Sequence, residues 1–179
     1  INNTRSSNSI TTSLTTAATD AQAGVWIKYA STNITGVTIG SSGNGNTITG
    51  FHDGIWLDDN GGSPTFATIS IAHNDIESNY DGILADVMAA TITARNNKIA
   101  SNTNSGITNS TVMSFDAEDN YWGSDNGPAH ASNVFNTSSQ GNPVSNYVDF
   151  VPWLQTSKSG TSFQPILVSS PTGKFSNFT

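Results

Sequence analysis

Apolar and polar residues alternate along much of the chain in short runs, and Gly, Asn, Ser or Asp interrupts each run. Alternation with a period of two residues is typical of half-buried β-strands. Runs of Ala, Glu, Lys and Leu that favour helices are nearly absent. The pattern therefore predicts an all-β protein of short strands and tight turns.

The alternating runs recur around four asparagines, Asn46, Asn74, Asn97 and Asn120, which are separated by 28, 23 and 23 residues. A large apolar residue stands two places after each of them: Ile48, Ile76, Ile99 and Trp122. A further strand-like run follows a glycine in each unit: Gly24, Gly54, Gly82 and Gly106. Three short strands in each unit of about 20 to 30 residues predict a stacked solenoid, in which neighbouring units bury one apolar column.

A buried asparagine at the same turn of every unit would be costly unless its amide is paired. In strands stacked about 4.8 Å apart, the amides can donate to and accept from one another, which predicts an asparagine ladder. The inward positions after the glycines are predicted to be Val25, Ile27, Ile55, Leu57, Ile83, Ala85 and Ile107. An ordinary β-sandwich with accidental spacing is the alternative.

The units resemble the repeats of right-handed parallel β-helices of the pectate-lyase-like superfold, which contain an internal asparagine ladder. The sequences DNYWGSDNGP, residues 119–128, and NPVSNYVDFVPWL, residues 142–154, are similar to the end of the β-helix region in secreted or surface proteins of bacteria and archaea. The resemblance covers about residues 24–154 and implies a right-handed parallel β-helix with three short strands per coil. It implies no single function, because that superfold holds lyases, hydrolases, adhesins and scaffolds.

Four segments are predicted along the chain. They are a leader or partial capping coil over residues 1–22, β-helix coils over 23–120, a C-terminal cap over 121–154, and a tail or edge strand over 155–179. The cap is expected to bury the last unit with Trp122, Tyr147, Phe150 and Trp153. Because the first residue is Ile1 rather than Met, the chain is expected to be a mature or excised segment.

Composition and charge narrow the range of partners. Charged residues make up 11% of the chain, against roughly 25% in an ordinary globular protein. The net charge is −7 with 6 Lys and Arg, so neither nucleic acid nor an anionic membrane surface is an expected partner. The chain has no Cys, which excludes disulfides and thiolate-ligated metals. No apolar run approaches the ~18 residues of a membrane span, so membrane insertion is not expected.

The residues around each glycine predict that the strand after it presents tryptophan and aspartate side chains on its outward face. Trp26 and Trp56 stand two places after a glycine, and a flat indole suits the C–H face of a sugar ring. Lys28, Asp58 and Asp86 stand four places after, and Asp53 and Asp81 stand directly before. Stacked carboxylates repel one another unless a cation or a proton relieves them. The residues predicted to bind a ligand are Trp26, Trp56, Asp53, Asp58, Asp81 and Asp86, with calcium as a possible ion at Asp58 and Asp86.

Purely structural roles are an alternative for the same residues. The leader or the tail could cover the tryptophans, and Asp53 and Asp81 could form turns by bonding their own backbone. A catalytic role would use Asp58 and Asp86, which could lie the roughly 5 Å apart of a retaining glycosidase, or Lys28 as the base of a lyase. Any two stacked carboxylates meet that spacing, so the match has little specificity.

Other candidate groups contribute less. Arg95 and Lys98 flank a ladder asparagine and are expected to lie away from the tryptophans. The three histidines, His52, His73 and His130, are too dispersed for a metal cluster. Glycosylation acceptors of the Asn-x-Ser/Thr type occur at Asn2, Asn33, Asn136 and Asn177, and a fifth, Asn109, falls in the inward column.

The sequence thus favours a non-catalytic structural, adhesive or filament-forming module, outside the cell or on its surface. Copies could associate end to end or laterally, and end-to-end stacking would be heterologous and would give a fibre. Its expected partners are other copies of itself or extracellular polysaccharide. The alternative is a carbohydrate-binding or polysaccharide-degrading β-helix that uses the Trp and Asp residues. An ice-binding face is a weaker third possibility, because Thr47, Thr49 and Thr68 do not recur in the same columns of later units.

Overall fold

The computed structural model describes residues 9–11, 23–28, 36–59, 68–87, 91–136, 138–163, 168–169 and 175–176. Regular structure in these residues is all β-strand, and most strands run parallel in three sheets. Sheet A contains β1 (Ser9–Thr11), β4 (Thr47–Thr49), β7 (Asp75–Glu77) and β10 (Lys98–Ala100). Sheet B contains β2 (Ala23–Lys28), β5 (Asp53–Asp58), β8 (Asp81–Asp86) and β11 (Ser105–Asn109). Sheet C contains β3 (Val37–Ile39), β6 (Ile69–Ala72), β9 (Ile92–Arg95), β12 (Phe115–Asp116) and β13 (Val148–Asp149).

The chain visits the three sheets in the same order, A then B then C, in successive units. Each strand pairs in parallel with the corresponding strand of the next unit. Residues of the same repeat column are register partners, as Ile48 with Ile76 and Ile55 with Ile83 show. The unit of the sequence repeat is therefore also the unit that stacks.

The apolar columns of all three sheets meet in one core. Nine isoleucine and leucine side chains in the described part of this core have no exposed surface: Ile48, Ile55, Leu57, Ile69, Ile71, Ile76, Ile83, Ile99 and Ile107. Full burial of each stabilises the fold by roughly 1.5–3 kcal/mol, which a single unit could not achieve by itself. Val25 and Ile27 in β2 are only partly buried, because β5 is the one strand that flanks β2 in the described part of the chain.

The first asparagine ladder runs beside sheet A through Asn46, Asn74, Asn97 and Asn120. The side-chain nitrogen Nδ2 of each donates to Oδ1 of the next, at 2.8, 3.0 and 3.0 Å. The same oxygens also accept the backbone N–H of the preceding asparagine, at 3.0, 2.9 and 2.9 Å. The last three asparagines have no exposed surface, so the ladder replaces the hydrogen bonds that water would make.

A second ladder, which the sequence analysis did not predict, lies at the other end of the sheet A strands. Nδ2 of Asn79 donates to Oδ1 of Asn102 at 3.1 Å, and Nδ2 of Asn102 donates to Oδ1 of Asn142 at 3.0 Å. Phe51 occupies the position that corresponds to Asn79 in the preceding unit, and its backbone N–H donates to Oδ1 of Asn79 at 3.0 Å. Both ends of the sheet A strands are therefore held by buried amides.

A residue with left-handed backbone conformation precedes the buried asparagines of both ladders. For the first ladder these residues are His73, Asn96 and Asp119, with φ of 61°, 58° and 54°. For the second they are Ser78, Ser101 and Gly141, with φ of 58°, 57° and 78°. A single left-handed residue bends the chain sharply at the turn before each of these asparagines.

The glycine column is required because the backbone of successive units approaches very closely there. A Cβ atom on Gly54 would lie 2.6 Å from the carbonyl oxygen of Gly82 and 2.9 Å from Nδ2 of Asn79. A Cβ on Gly82 would lie 2.5 Å from the carbonyl oxygen of Gly106 and 2.8 Å from Nδ2 of Asn102. No side chain fits at these distances, so the glycines permit the second ladder.

Residues 121–154 extend the stack by a further set of parallel pairings. Tyr121 forms a parallel bridge with Lys98 of sheet A, and Val144 forms one with Ile107 of sheet B. In sheet C, β13 pairs in parallel with β12. The segment predicted as a cap thus contributes to all three sheets.

The aromatic residues of this segment behave differently from one another. Trp122, Phe150 and Trp153 are buried, as expected. The expectation for Tyr147 is wrong, because it has left-handed backbone at a turn before β13 and is 57% exposed.

Two antiparallel strand pairs follow the parallel stack. Strand β14 (Trp153–Leu154) pairs with β15 (Ser162–Phe163), and β16 (Val168–Ser169) pairs with β17 (Phe175–Ser176). In the part of the chain that is described, no helix has the length and hydrophobicity to cross a membrane.

Candidate functional site

The outward side chains of sheet B form one row across four strands: Trp26, Trp56, Leu84 and Thr108 are successive register partners. The rings of Trp26 and Trp56 stack with centroids 4.7 Å apart and planes 4° apart. This separation matches the spacing of adjacent strands, so each indole covers one face of the other. Trp26 is 44% exposed and Trp56 is half-buried. The open aromatic surface is therefore mainly that of Trp26, at the edge of the sheet.

Each of these tryptophans is also bonded to the next strand through its indole N–H. Nε1 of Trp26 donates to Oδ2 of Asp58 at 3.1 Å, and Nε1 of Trp56 donates to Oδ2 of Asp86 at 3.0 Å. Both bonds run diagonally to a residue two places further along in the neighbouring strand. Each indole N–H places a partial positive charge beside a carboxylate oxygen, which offsets part of the repulsion between the stacked acids.

Lys28 lies next to this stack on β2. Its ammonium nitrogen lies 4.6 Å from the centroid of the Trp26 ring, within the range of a cation–π interaction. Such a contact is worth roughly 0.5–1 kcal/mol at an exposed site. Lys28 is also the register partner of Asp58. The amine predicted as a possible base thus packs over an aromatic ring.

The two aspartates that directly precede the glycines are buried. Asp53 is 2% exposed and Asp81 is 6% exposed. Oδ1 of Asp81 accepts hydrogen bonds from Nδ2 of Asn104 at 2.9 Å and from Oγ1 of Thr108 at 3.2 Å. Oδ1 of Asp53 lies 3.1 Å from Nδ1 of His52, yet burial, the largest influence, raises the pKa of Asp53. Neither carboxylate is presented to a ligand on the surface.

A shallow groove opens beside Asp86. It is lined by Asp59, Asp86, Ser110, Thr111 and Val112. Carboxylate and hydroxyl oxygens of this kind are the ligands that Ca²⁺ prefers. Within the described ranges, no group of three His, Asp or Glu residues is arranged to hold a metal ion. Calcium at Asp58 and Asp86 therefore stays a prediction.

Arg95 and Lys98 lie on sheets C and A rather than on the row of tryptophans. The guanidinium of Arg95 contacts carboxylate oxygens of Asp116 and Glu118, both at 2.7 Å. The ammonium of Lys98 contacts Glu77 at 2.5 Å. The largest influence on each cation is the hydrogen bond that it donates to a carboxylate, of Asp116 for Arg95 and of Glu77 for Lys98, and this bond raises the pKa of both cations. These two cations thus stabilise neighbouring strands.

Two of the glycosylation acceptors are buried. Asn136 is 8% exposed and Asn109 is 9% exposed, and Nδ2 of each donates to two backbone carbonyl oxygens. Because a glycan would be attached to this nitrogen, neither residue is placed to carry one in the folded chain. The other candidates, Asn2, Asn33 and Asn177, lie outside the described residues.

The sequence analysis missed the pairing of His52 with Tyr80. Their rings stack with centroids 4.7 Å apart and planes 28° apart. His52 directly precedes Asp53, and Tyr80 directly precedes Asp81, so the two rings occupy one column of the repeat. Extending the column comparison by one position would have shown this pair.

Comparison of the chain with protein-family models, with curated proteins and with solved structures gave no match. A functional conclusion therefore depends on the geometry of the stack and of the tryptophan row.

Proposed function

We propose that the three sheets close into a right-handed parallel β-helix that resembles those of the pectate-lyase-like superfold. The constant order of the sheets and the parallel pairing of successive units support this closure. All three sheets contribute to one continuous core, as the walls of a closed coil would. Right-handed winding is supported by the strong preference of crossover connections between parallel strands for that hand.

The proposed function is that of a non-catalytic structural or adhesive module in an extracellular or surface protein. The observation that supports this function most strongly is the pair of asparagine ladders, which run along the stack at the two ends of the sheet A strands. Buried, fully paired polar networks make a fold rigid. A stack held by such ladders is well suited to serve as a stiff spacer, and its low charge and acidic balance are compatible with a surface protein.

The groups that a catalytic role would use are occupied by contacts between strands. Asp58 and Asp86 each accept an indole N–H, and the ammonium of Lys28 packs over Trp26. The two indole bonds join neighbouring strands of sheet B on its outer surface. They support a scaffold over a lyase or a hydrolase.

Polysaccharide binding is a second candidate, because Trp26 combines 44% exposure with an adjacent ammonium group. A sugar ring could pack its C–H face against the open part of this indole, and Lys28 could donate to its oxygens. Trp56 would contribute less, since Trp26 covers one of its faces. On this proposal, adhesion depends on the β2 edge of the sheet.

Self-association would use the same edge. Strand β2 is flanked by β5 on one side of sheet B in the described structure, so its other side could pair with a strand of a second copy. At the opposite end, antiparallel pairing of β14 with β15 interrupts the parallel order of the stack. Association through one edge would give a closed pair of molecules rather than a fibre.

The test is to incubate the protein with acidic and neutral polysaccharides, with and without calcium. Reducing ends, unsaturated products and retention on the insoluble polymer would be measured. The variants are Trp26→Ala and the double change Asp58→Asn/Asp86→Asn, which removes two charges but keeps acceptors for the indole N–H groups. Thr38→Ala, at an exposed position of sheet C, is the matched control.

A structural module should give no products with any polymer, and sedimentation of the variants should match that of the parent. Turnover that disappears in the double aspartate variant would instead establish a degrading enzyme and overturn the proposal. Retention that is lost only in Trp26→Ala would identify an adhesive module whose binding surface lies at the β2 edge.

A further inference from the structure

A buried acidic corner lies where the chain passes from sheet A into sheet B. Asp53 and Asp81 are the first residues of β5 and β8, and they are register partners. Adjacent strands lie about 4.8 Å apart, so two carboxylates with 2% and 6% exposure occupy neighbouring positions. The ionised carboxylate of Asp81 therefore disfavours ionisation of Asp53, because burial leaves little water to screen the repulsion.

The two carboxylates differ in their polar partners. Asp81 accepts hydrogen bonds from the two neutral donors described above, the amide of Asn104 and the hydroxyl of Thr108. Asp53 instead lies beside the imidazole of His52, which can itself carry a proton. The stacking of that ring on Tyr80 holds it against Asp53, while a side-chain exposure of 29% leaves it open to solvent.

The charged groups that act on Asp53 come from three places. His52 faces it from the preceding turn, and Asp81 and Asp86 face it from β8. On its other flank, β2 presents the uncharged Ala23 as the register partner. The negative neighbours and, above all, burial raise the pKa of the Asp53 carboxyl above its ordinary value of 3.8, whereas His52 acts in the opposite direction.

We propose that the corner formed by His52, Asp53 and Asp81 is a proton-binding site, through which acidification stabilises the folded module by protonation of Asp53. A proton on the carboxyl group of Asp53 removes one of two adjacent buried charges. The folded chain therefore gains more from a proton on Asp53 than the unfolded chain, in which water surrounds the same carboxyl group.

The direction of the pH effect follows from the raised pKa of Asp53. A carboxyl that binds its proton more tightly when folded stabilises the fold fully at pH values below its ordinary value. This stabilisation is lost as the pH rises through the folded-state value. One extra proton in the folded state would change the unfolding equilibrium constant by at most about tenfold per pH unit.

The experiment is urea unfolding of the whole chain at a series of pH values between about 4 and 8. The parent would be compared with Asp53→Asn, and Asp149→Asn at an exposed position would serve as the control. The equilibrium constant for unfolding of the parent, divided by that of Asp53→Asn, should increase as the pH rises. For Asp149→Asn the corresponding ratio should not increase.

A ratio for Asp53→Asn that stays constant, or that decreases as the pH rises, would overturn the proposal. Carbon NMR titration of the Asp53 carboxyl in the parent protein tests the same point without a change at that residue. In Asp81→Asn, which retains an acceptor for both neutral donors, the Asp53 titration should move to lower pH. An Asp53 titration at or below the ordinary value of a free aspartate in the parent would refute the site whether or not any variant folds.

Discussion

Replacing Asn97 by Leu would remove the centre of the first ladder and is expected to destabilise the fold strongly. Oδ1 of Asn97 is the acceptor for the buried backbone N–H of Asn74, at 2.9 Å. An N–H left without a partner in the interior costs about 1–3 kcal/mol. The Leu side chain would also occupy a slot shaped for a planar amide, and overpacking costs typically 1–3 kcal/mol.

Other members of the ladder keep part of their hydrogen bonding in this variant. Nδ2 of Asn74 still donates to the carbonyl oxygens of Ile39 and Ala72, and Oδ1 of Asn120 still accepts the backbone N–H of residue 97. The loss is therefore less than that of the whole network. We expect the free energy of unfolding to fall by about 2–4 kcal/mol.

Urea unfolding followed by circular dichroism measures this loss, provided that the slope of the transition is unchanged. Asn126→Leu is the matched control, because it makes the same chemical change at an exposed position outside both ladders. That variant should differ from the parent by less than about 0.5 kcal/mol. A loss below about 1 kcal/mol for Asn97→Leu would refute the reasoning that ladder amides satisfy otherwise unpaired buried groups.

Two further predictions concern the corner and the outer face of sheet B. Gly82→Ala should destabilise the fold by about 2 kcal/mol or more, because its Cβ would overlap the amide of Asn102, and thermal unfolding would show this as a lower midpoint. A double-mutant cycle with Trp56→Phe and Asp86→Ala should give a coupling energy of about 0.5–1.5 kcal/mol in urea unfolding; a value near zero would mean that the indole–carboxylate bond adds nothing to stability.

The periodicity of the sequence was enough to predict the columns of the stack. In parallel pairing without a shift of register, residues in one column of the repeat become neighbours, as Ile55 and Ile83 do. The period-two alternation then assigns Leu57 to the core and Trp56 to the outer face, and the exposures agree with both. A regular repeat converts spacing along the chain directly into neighbours in space.

The second ladder could not be recognised in the same way. Asn79 and Asn102 share a column, but the column begins with Phe51 and ends with Asn142, which lies 40 residues after Asn102. The strands β11 and β12 continue the repeat after Asn102, but residues 123–136 contain no strand, and this insertion breaks the spacing. The sequence contained one indication of the second ladder, the glycine that recurs in each unit. At Gly82 the absence of a Cβ leaves room for the side-chain amide of Asn102 and the backbone of the next unit.

The repeat also does not predict hydrogen bonds between side chains that belong to different columns. A comparison of columns aligns Trp26 with Trp56 and Asp58 with Asp86, whereas the indole bond of Trp26 joins it to Asp58 diagonally. The burial of Asp53 likewise depends on packing between units rather than on its own position. The sequence therefore located the acids of this face correctly within the repeat without showing which of them face solvent.

A parallel stack places like residues beside one another, so every acid in the repeat brings the same electrostatic problem to each unit. For the four acids of sheet B named above, this chain solves that problem in three ways. Asp58 and Asp86 receive an indole N–H, Asp81 receives neutral amide and hydroxyl donors, and Asp53 is paired with an imidazole. The donors in the first two solutions are neutral groups, whereas the imidazole of the third can itself carry a proton. Burial raises the pKa of Asp53, so a stabilising response to acidification is expected at this corner of the stack.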